Sequence, residues 1–580
     1  MYILEKIKTD IAEEINKALN KQVVKAPDLV YPPASEMGDL SWACFNLAKE
    51  LGKSPAEIAS RLAKELSSGY PELSSASFVK VVGPYLNFTL NKGYLAKNVI
   101  KEIERGKNKH GENKNGGGKR TMIEYSNANT HKEYHVGHLR NISYGDSVAR
   151  ILSANGYKVI PVSYINDFGI HVAKTLWAYN KFFKNEPLPE NKGYFLGKIY
   201  ARATRELAAD PDIKREVEEL MKKIESRKGE EYKLWKKTRK WSIEQFDKIY
   251  GELGVKFKKF FYENEFISDG FKMVQELLQE GILEKSEGAI IANLEGYDNL
   301  SVLMFLRSDG TALYPVADIP LAIKKNKKYK LDRSIYVVDI RQSLYFRQLF
   351  KVLELMDYAS ATLRVGRPEM IHLGYEFVKL PSGMMSSRTG NIITYEDLRN
   401  EVFKKAEEET RKRHKDWKEE KIKKVAAKIA VGAMKFEMLK MGRLQTITFN
   451  INEALRFDGF TAAYLQYTYA RIKSINKKAR KQESKKANFN YLAEAKEHDL
   501  IMKLAKYPEA VAKAGERYDP SEIAKYIFEL ARDFNDYYHS IPVLKAEAEM
   551  RKARLALIGS ASQVIKNGLN LLGIETMEEM

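Results

Sequence analysis

In the opening segment MYILEKIKTDIAEEINKALN, isoleucines fall at positions 3, 7, 11 and 15 with acids and lysines between them. That spacing puts the four on one face of a helix, so the pattern predicts an amphipathic docking helix. A secretory leader has an unbroken apolar centre, which the interleaved charges exclude. Helical and strand-like patterns continue to about residue 105. One of them, SFVKVVGPYLNFTL, carries a Gly-Pro pair that predicts a turn between two apolar segments. The run RGKNKHGENKNGGGKR, residues 105–120, has no apolar periodicity and reads as a linker or loose surface loop. An α+β domain over residues 1–112 is therefore expected.

From residue 121 short apolar strands alternate with helices: TMIEYS, then GHLRNISYGDSVARILSANGY, then KVIPVSYIND, and later SIYVVDIRQSLYFRQLFKVLEL. This order predicts a parallel sheet covered by helices, a Rossmann-type arrangement. A charged helical insertion is read at about 180–260, and the Ser-Asp-Gly-Thr of FLRSDGTALYPVADIPLAIKK is a hairpin-type turn. Beyond about residue 395 strand signals nearly vanish. The chain is thus expected to be multidomain α/β, with an α/β domain over 118–400 and an all-α bundle over 401–580. No apolar run approaches the roughly 20 residues needed to cross a bilayer.

With 580 residues, one core does not suffice, and a 44% hydrophobic, 30% charged composition is that of a soluble globular protein. The single cysteine, Cys44, rules out an intramolecular disulfide and any multi-cysteine metal cage, and it points to a reducing, cytoplasmic setting. A net charge of +20 attracts polyanions, because each cation that meets a phosphate can release a counterion. The excess is locally concentrated: RIKSINKKARKQESKK, residues 471–486, holds eight basic residues and one acid. A solvated helix face is the plainer reading of that run.

The stretch NANTHKEYHVGHLRN, residues 127–141, contains three histidines spaced i, i+4, i+7. In a continuous helix, His131, His135 and His138 would share a face able to hold zinc. However, Gly137 weakens a helix interior, and the preceding apolar segment ends as a strand. A strand-to-helix turn there would direct backbone amides and a positive helix end at a phosphate, with imidazoles donating to its oxygens. A purely structural role for the histidines remains the third reading.

The string IEYSNANTHKEYHVGHLRN resembles the signature of arginyl-tRNA synthetases, with HVGH in place of the class I HIGH motif. RSDGTALYPVADI, VVDIRQSLYFRQLF, FDGFTAAYLQYTYARIKSI and LLGIETMEEM resemble further segments of that family in the same order. GDLSWACFNLAK and GPYLNFTL are similar to its additional N-terminal tRNA-binding domain. The resemblance implies a class I catalytic domain between that domain and an anticodon-binding bundle. It also implies ATP with Mg2+, L-arginine and tRNA(Arg) as partners, no tightly bound metal, and a cytoplasmic monomer that needs no membrane.

By that resemblance, His135 and His138 contact the ATP phosphates, Gly137 lets the nucleotide lie against the backbone, and His372 and Met385 complete the ATP site. The stretch GMMSSRTGN stands where the family has KMSKS, with Met384 and Ser387 at the two lysine positions and with Ser386 and Arg388 retained as catalytic candidates. Lys132, three residues before His135, is expected to supply the missing transition-state charge. A guanidinium needs planar acceptors, which Asp318 and Tyr314 would present, with Glu124, Asn129, His135 and Gln342 as further arginine contacts. Asp318 as a helix cap and Glu124 as a strand-edge acid are the plain alternatives. Ala128 and Ala317 depart from the family's proline and arginine. Tyr464, Tyr467, Tyr469 and Arg471 are candidates for stacking on and pairing with the tRNA. Arginine activation is expected to wait for bound tRNA. The rival readings are a non-catalytic RNA-binding paralogue, a synthetase for another amino acid, and a metal-dependent hydrolase built on the histidines.

Overall fold

In the computed structural model, described over residues 1–69, 76–210, 212–359, 368–379, 393–479 and 487–580, the isoleucine stripe lies in the helix Ile3–Leu19. All four isoleucines are buried, so the helix docks by its apolar face. It packs on the helices Pro55–Gly69 and Lys92–Gly106, and Pro55–Gly69 in turn lies on an antiparallel sheet in which Tyr85–Leu90 runs between Leu40–Ala43 and Ala76–Val82. Gly83, at φ +58°, turns the chain between the last two strands, and its left-handed backbone suits glycine.

The segment that reads as a loose linker is instead docked. After the helix Lys92–Gly106, Asn113 N donates to Ala154 O and Gly116 N to Asn155 O at 2.8 and 2.7 Å. A Cβ on Gly116 would stand 2.5 Å from the Tyr157 ring, so the glycine is there for a close approach rather than for looseness. Polarity and glycine content look the same in both cases.

The central sheet consists of β1 (Arg120–Glu124), β2 (Lys158–Ile165), β3 (Lys259–Tyr262), β4 (Arg333–Asp339) and β5 (Glu369–Tyr375). All neighbours pair in parallel, in the order β5-β4-β1-β2-β3. Strand order reverses between β1 and β4, and a crevice opens at their carboxyl ends, the usual ligand position in a doubly wound sheet. Three helices frame it: α1 (Val136–Ala154) after β1, α2 (Tyr314–Tyr329) and α3 (Ser343–Ala359). The helices Lys192–Ala209, Ile213–Glu225 and Gly229–Glu252 pack around their own apolar cluster, which includes Leu196, Ile199, Val217 and Trp235. From Tyr395 onward the described chain is helical apart from the two-residue strand Ile447–Thr448. Among the described residues no helix is long and apolar enough to cross a membrane.

Candidate active site

A cavity of about 590 Å³ occupies the crevice, lined by Glu124 from the end of β1, Val338 and Asp339 from the end of β4, and Tyr375 from the end of β5. It brings together eight residues singled out in the sequence: Glu124, Asn129, His135, Gly137, His138, Tyr314, Asp318 and Gln342.

The histidine stretch is a strand-to-helix turn, and its three histidines separate. His135 caps α1, and its Nδ1 accepts from Gly137 N at 3.1 Å, while its own N–H donates to His138 Nδ1 at 3.1 Å. An Nδ1 that accepts a backbone N–H carries no proton, so each ring bears its hydrogen on Nε2. Burial pushes His135 down to about 4 and His138 well below the ordinary histidine range, with Lys132 contributing to both. The helix N-terminus therefore carries two neutral imidazoles, each with an Nε2–H donor. A Cβ on Gly137 would stand 2.9 Å from the His135 ring, so the glycine also makes room for that ring.

His131 turns the other way. It is fully buried at φ +63°, with Nδ1 2.9 Å from Thr130 Oγ1 and Nε2 2.8 Å from Thr238 Oγ1. Its N–H donates to Ser242 Oγ at 3.0 Å. Nε2 and the backbone N–H thus lock the signature turn to the helix Gly229–Glu252, Nδ1 is taken up by the neighbouring Thr130, and the three histidines share no face.

The far end of the cavity is acidic. The Asp318 carboxylate accepts from the Tyr345 hydroxyl, and Glu124 pairs with the buried ammonium of Lys325 while also accepting from Asn127 Nδ2 at 3.3 Å. Burial raises Asp318 to about 6, against the Tyr345 bond and with the Glu124 charge adding to it. Tyr314 stands exposed at the start of α2, its ring 6.4 Å from Tyr345. Ala317 is 3% exposed in a cluster with Met122 and Phe261, where an arginine would have no room to remain solvated.

Sequence reading missed Glu263, Lys325 and Arg140. Burial raises Glu263 to about 8, with Asp167 and Asp318 adding to the effect and an Asn166 hydrogen bond opposing it. Glu263 and Lys325 lie outside the segments that carry the family resemblance, and Arg140, although inside the signature string, is given its role by partners that only the fold supplies.

Other expected residues fall outside the cavity lining. Lys132 is partly buried, its ammonium 5.1 Å from the centre of the Tyr200 ring, and burial lowers its pKa. His372 stacks on Phe346 at 4.8 Å, with Nε2 3.1 Å from Val338 O, behind the cavity wall. Tyr469 is 5% exposed and offers no open face to a base, because it belongs to the bundle core. Tyr464 is half-buried and accepts from Asn535 Nδ2 at 2.8 Å, and Tyr467 is exposed. Arg471 donates to Asn535 Oδ1 at 3.2 Å. Met385, Ser386 and Arg388 lie outside the described residues, as do residues 480–486 of the basic run.

Three family models match in succession: the arginyl tRNA synthetase N terminal domain over 5–90, the catalytic domain of class I (R) tRNA synthetases over 99–451, and the DALR anticodon binding domain over 465–580. An arginine–tRNA ligase of Bdellovibrio bacteriovorus is 38% identical, covering 95% of this chain and 94% of that protein. One from Clostridium acetobutylicum is 36% identical over 98% of this chain and 99% of its own. The solved arginyl-tRNA synthetase of Thermus thermophilus superposes with a TM-score of 0.78 at 27% identity, covering 98% of this chain and 99% of its own. With signature turn, sheet order and full-length relatives in agreement, this chain belongs to the class I tRNA synthetases of the arginine type.

Proposed function

We propose that this protein ligates L-arginine to tRNA(Arg) in two steps, at the expense of ATP. One observation carries the reading. A single cavity has carboxyl groups at one end, Glu124 and Asp318, and two neutral imidazole donors at a helix N-terminus at the other. The first end suits a guanidinium, whose planar fork of donors matches carboxylates. The second suits phosphates, which favour N–H donors and the positive end of a helix.

In the first step an oxygen of the arginine carboxylate attacks the α-phosphorus of ATP, and the bond to the bridging oxygen breaks to release pyrophosphate. The nucleophile is already ionised, so the residues act by alignment and by stabilising phosphate charge. Asp318 and Tyr314 hold the guanidinium, with Glu263 near enough to share its charge. Asn129 and Gln342 orient the amino and carboxylate ends. His135 and His138 donate from Nε2 to phosphate oxygens, and Lys132 adds positive charge beside them. ATP enters as its Mg2+ complex, so the ion is part of the substrate. Ser386 and Arg388 are proposed from sequence as pyrophosphate contacts, and Met385 and His372 as part of the nucleotide's surroundings. In the second step a ribose hydroxyl of the terminal tRNA nucleotide attacks the arginyl carbonyl carbon and AMP leaves.

The N-terminal domain and the helical bundle are proposed to dock the tRNA, with exposed Tyr467, half-buried Tyr464 and Arg471 at the anticodon. The proposed domains are 1–112, 118–400 and 401–580. We propose that it acts as a monomer. A single buried cysteine fits the reducing cytoplasm that we propose as its compartment.

The deciding experiment is arginine-dependent ATP–pyrophosphate exchange, with and without tRNA(Arg), using lysine as control. Exchange with arginine alone among the amino acids supports the ligase, and its dependence on tRNA supports coupling between the ends. RNA binding without any exchange would replace the ligase by a non-catalytic paralogue.

A further inference from the structure

Arg140 lies in α1 just beyond the signature turn and lines the cavity, yet it is only 1% exposed. Its Nη2 donates to Arg443 O at 3.0 Å and to Gln445 O at 3.1 Å, and its Nη1 is buried without a hydrogen-bond partner among the described residues. Burial pushes its guanidinium down to about 10, and two tyrosines and Glu376 only partly offset this. A buried charge held by carbonyls rather than by a carboxylate is unfavourable by itself, so the contacts it makes call for an explanation.

Those contacts converge on one wall of the cavity. Arg443 O also accepts from Glu376 N at 2.9 Å, and Arg443 Nη1 donates to Gly374 O at 2.8 Å. Farther along, Ile447 N donates to Phe377 O and Phe449 N to Lys379 O, so Ile447–Thr448 runs parallel to Val378–Lys379. Residues 443–449 thus form a strap along the outside of the Tyr375–Val378 wall. On its inner side, Asn141, the residue after Arg140, donates from Nδ2 to the Tyr375 hydroxyl at 3.1 Å. The wall lies beyond the end of β5, away from the acidic pair that faces arginine.

We infer that Arg140 is a positioning residue for the nucleotide. Through the 443–449 strap it fixes the Tyr375–Val378 wall against the helix whose first turn carries His135 and His138. The inference rests on reading that end of the cavity as the ATP site. A small displacement of a wall against its helix is felt strongly at a bound ligand, since a shift of about 1 Å can lower a rate by about 100-fold.

The test uses the full-length protein with tRNA(Arg), measuring arginine-dependent pyrophosphate exchange while ATP and arginine are varied separately. Arg140→Met is expected to raise the KM for ATP about tenfold or more and to leave the KM for arginine within about twofold. Arg140→Lys, which keeps the charge and can still reach one carbonyl, is expected to recover part of the loss, and it serves if the Met variant does not fold. Arg443→Met should show the same ATP-selective defect, and the double variant should be little worse than the worse single one, because both act through one strap. Equal rises in both KM values, an unchanged KM for ATP, or independent multiplying effects would each overturn the inference. Absence of exchange in the unaltered protein would instead overturn the ligase reading.

Discussion

Lys325 and Glu124 form an ion pair in the wall of the cavity's acidic end, with side chains 2% and 6% exposed. Burial alone would lower the ammonium, but Glu124, with help from Tyr336 and Asp318, outweighs it and leaves the pKa above the ordinary lysine value. Removing one partner strands the other charge. Lys325→Met is therefore expected to destabilise the fold by about 3–5 kcal/mol, whereas Lys325→Met with Glu124→Leu should be far less costly. Denaturation transitions of the two variants check this. A Lys325→Met protein as stable as the parent would refute it.

Arginine binding should respond to pH through Asp318 and Glu263. In the free site these stand at about 6 and about 8, and a bound guanidinium favours both ionised forms. Binding then releases protons, so arginine affinity is expected to rise as pH increases from 5 through 8 and to level off above. Between the two values the slope approaches about tenfold per pH unit for one proton displaced. Calorimetry in buffers of different ionisation enthalpy measures the release directly. Asp318→Asn should remove the lower part of the profile and lower arginine activation by orders of magnitude. Near-normal activation in that variant would end its proposed role.

Lys132 stands over Tyr200, and its charge reaches both signature imidazoles. If it supplies the positive charge absent from the second phosphate loop, Lys132→Ala should slow adenylate formation by about 100- to 1000-fold. Arginine affinity should change far less, because Lys132 meets the guanidinium end only through the charge of Glu263, whereas it is coupled to both signature imidazoles. Single-turnover adenylate formation separates the two effects, and an unchanged rate would sink the idea.

Much of this was legible before any coordinates. The isoleucine stripe, the alternation of strands and helices after residue 121, and the helical character after 395 all follow local periodicity, and the structure keeps them. The signature turn was legible because it is a local event: an apolar strand, a polar turn and a glycine at the helix start. His131 was not legible, because its role is set by Thr238 and Ser242, more than 100 residues away. The same holds for Arg140 with Arg443 and for Glu124 with Lys325, pairs that only the fold creates. Tyr469 misled because a tyrosine in a core helix and one on a nucleic-acid face have the same sequence signal. The 105–120 run misled because glycines that allow close packing look like glycines that allow movement.

Association with tRNA should weaken steeply with salt, given the net charge of +20. Each phosphate neutralised contributes roughly −0.9 to the slope of log K against log salt for duplex-like contacts. Titration of labelled tRNA(Arg) between low and moderate salt measures the slope. A flat response would argue against docking through the protein's excess of cationic side chains.

Acid stability offers a test where the N-terminal segment meets the C-terminal helices. His110 is 4% exposed, stacked on Tyr507 at 5.8 Å and met edge-on by Tyr2 at 5.3 Å, and neither ring nitrogen has a hydrogen-bond partner among the described residues. Burial pushes it down to about 4, whereas an unfolded histidine titrates at about 6.5. Below about 6.5 the unfolded chain therefore binds a proton that the folded chain refuses. The folded state loses stability as pH falls from about 6.5 to about 4 and loses no more below that. The shift corresponds to roughly 3 kcal/mol for this one group. His110→Phe keeps an aromatic ring in the stack and cannot take up the proton. Its stability relative to the parent should therefore rise on acidification across that window and stay constant above pH 7. The acid limb will not vanish, because His131, His135, His138 and His171 are depressed by burial in the same direction. Unfolding midpoints of both proteins from pH 4 to 7.5 provide the comparison. Parallel curves would mean that His110 meets water or a proton acceptor in the folded protein, and the aromatic sandwich would then not be what holds it neutral.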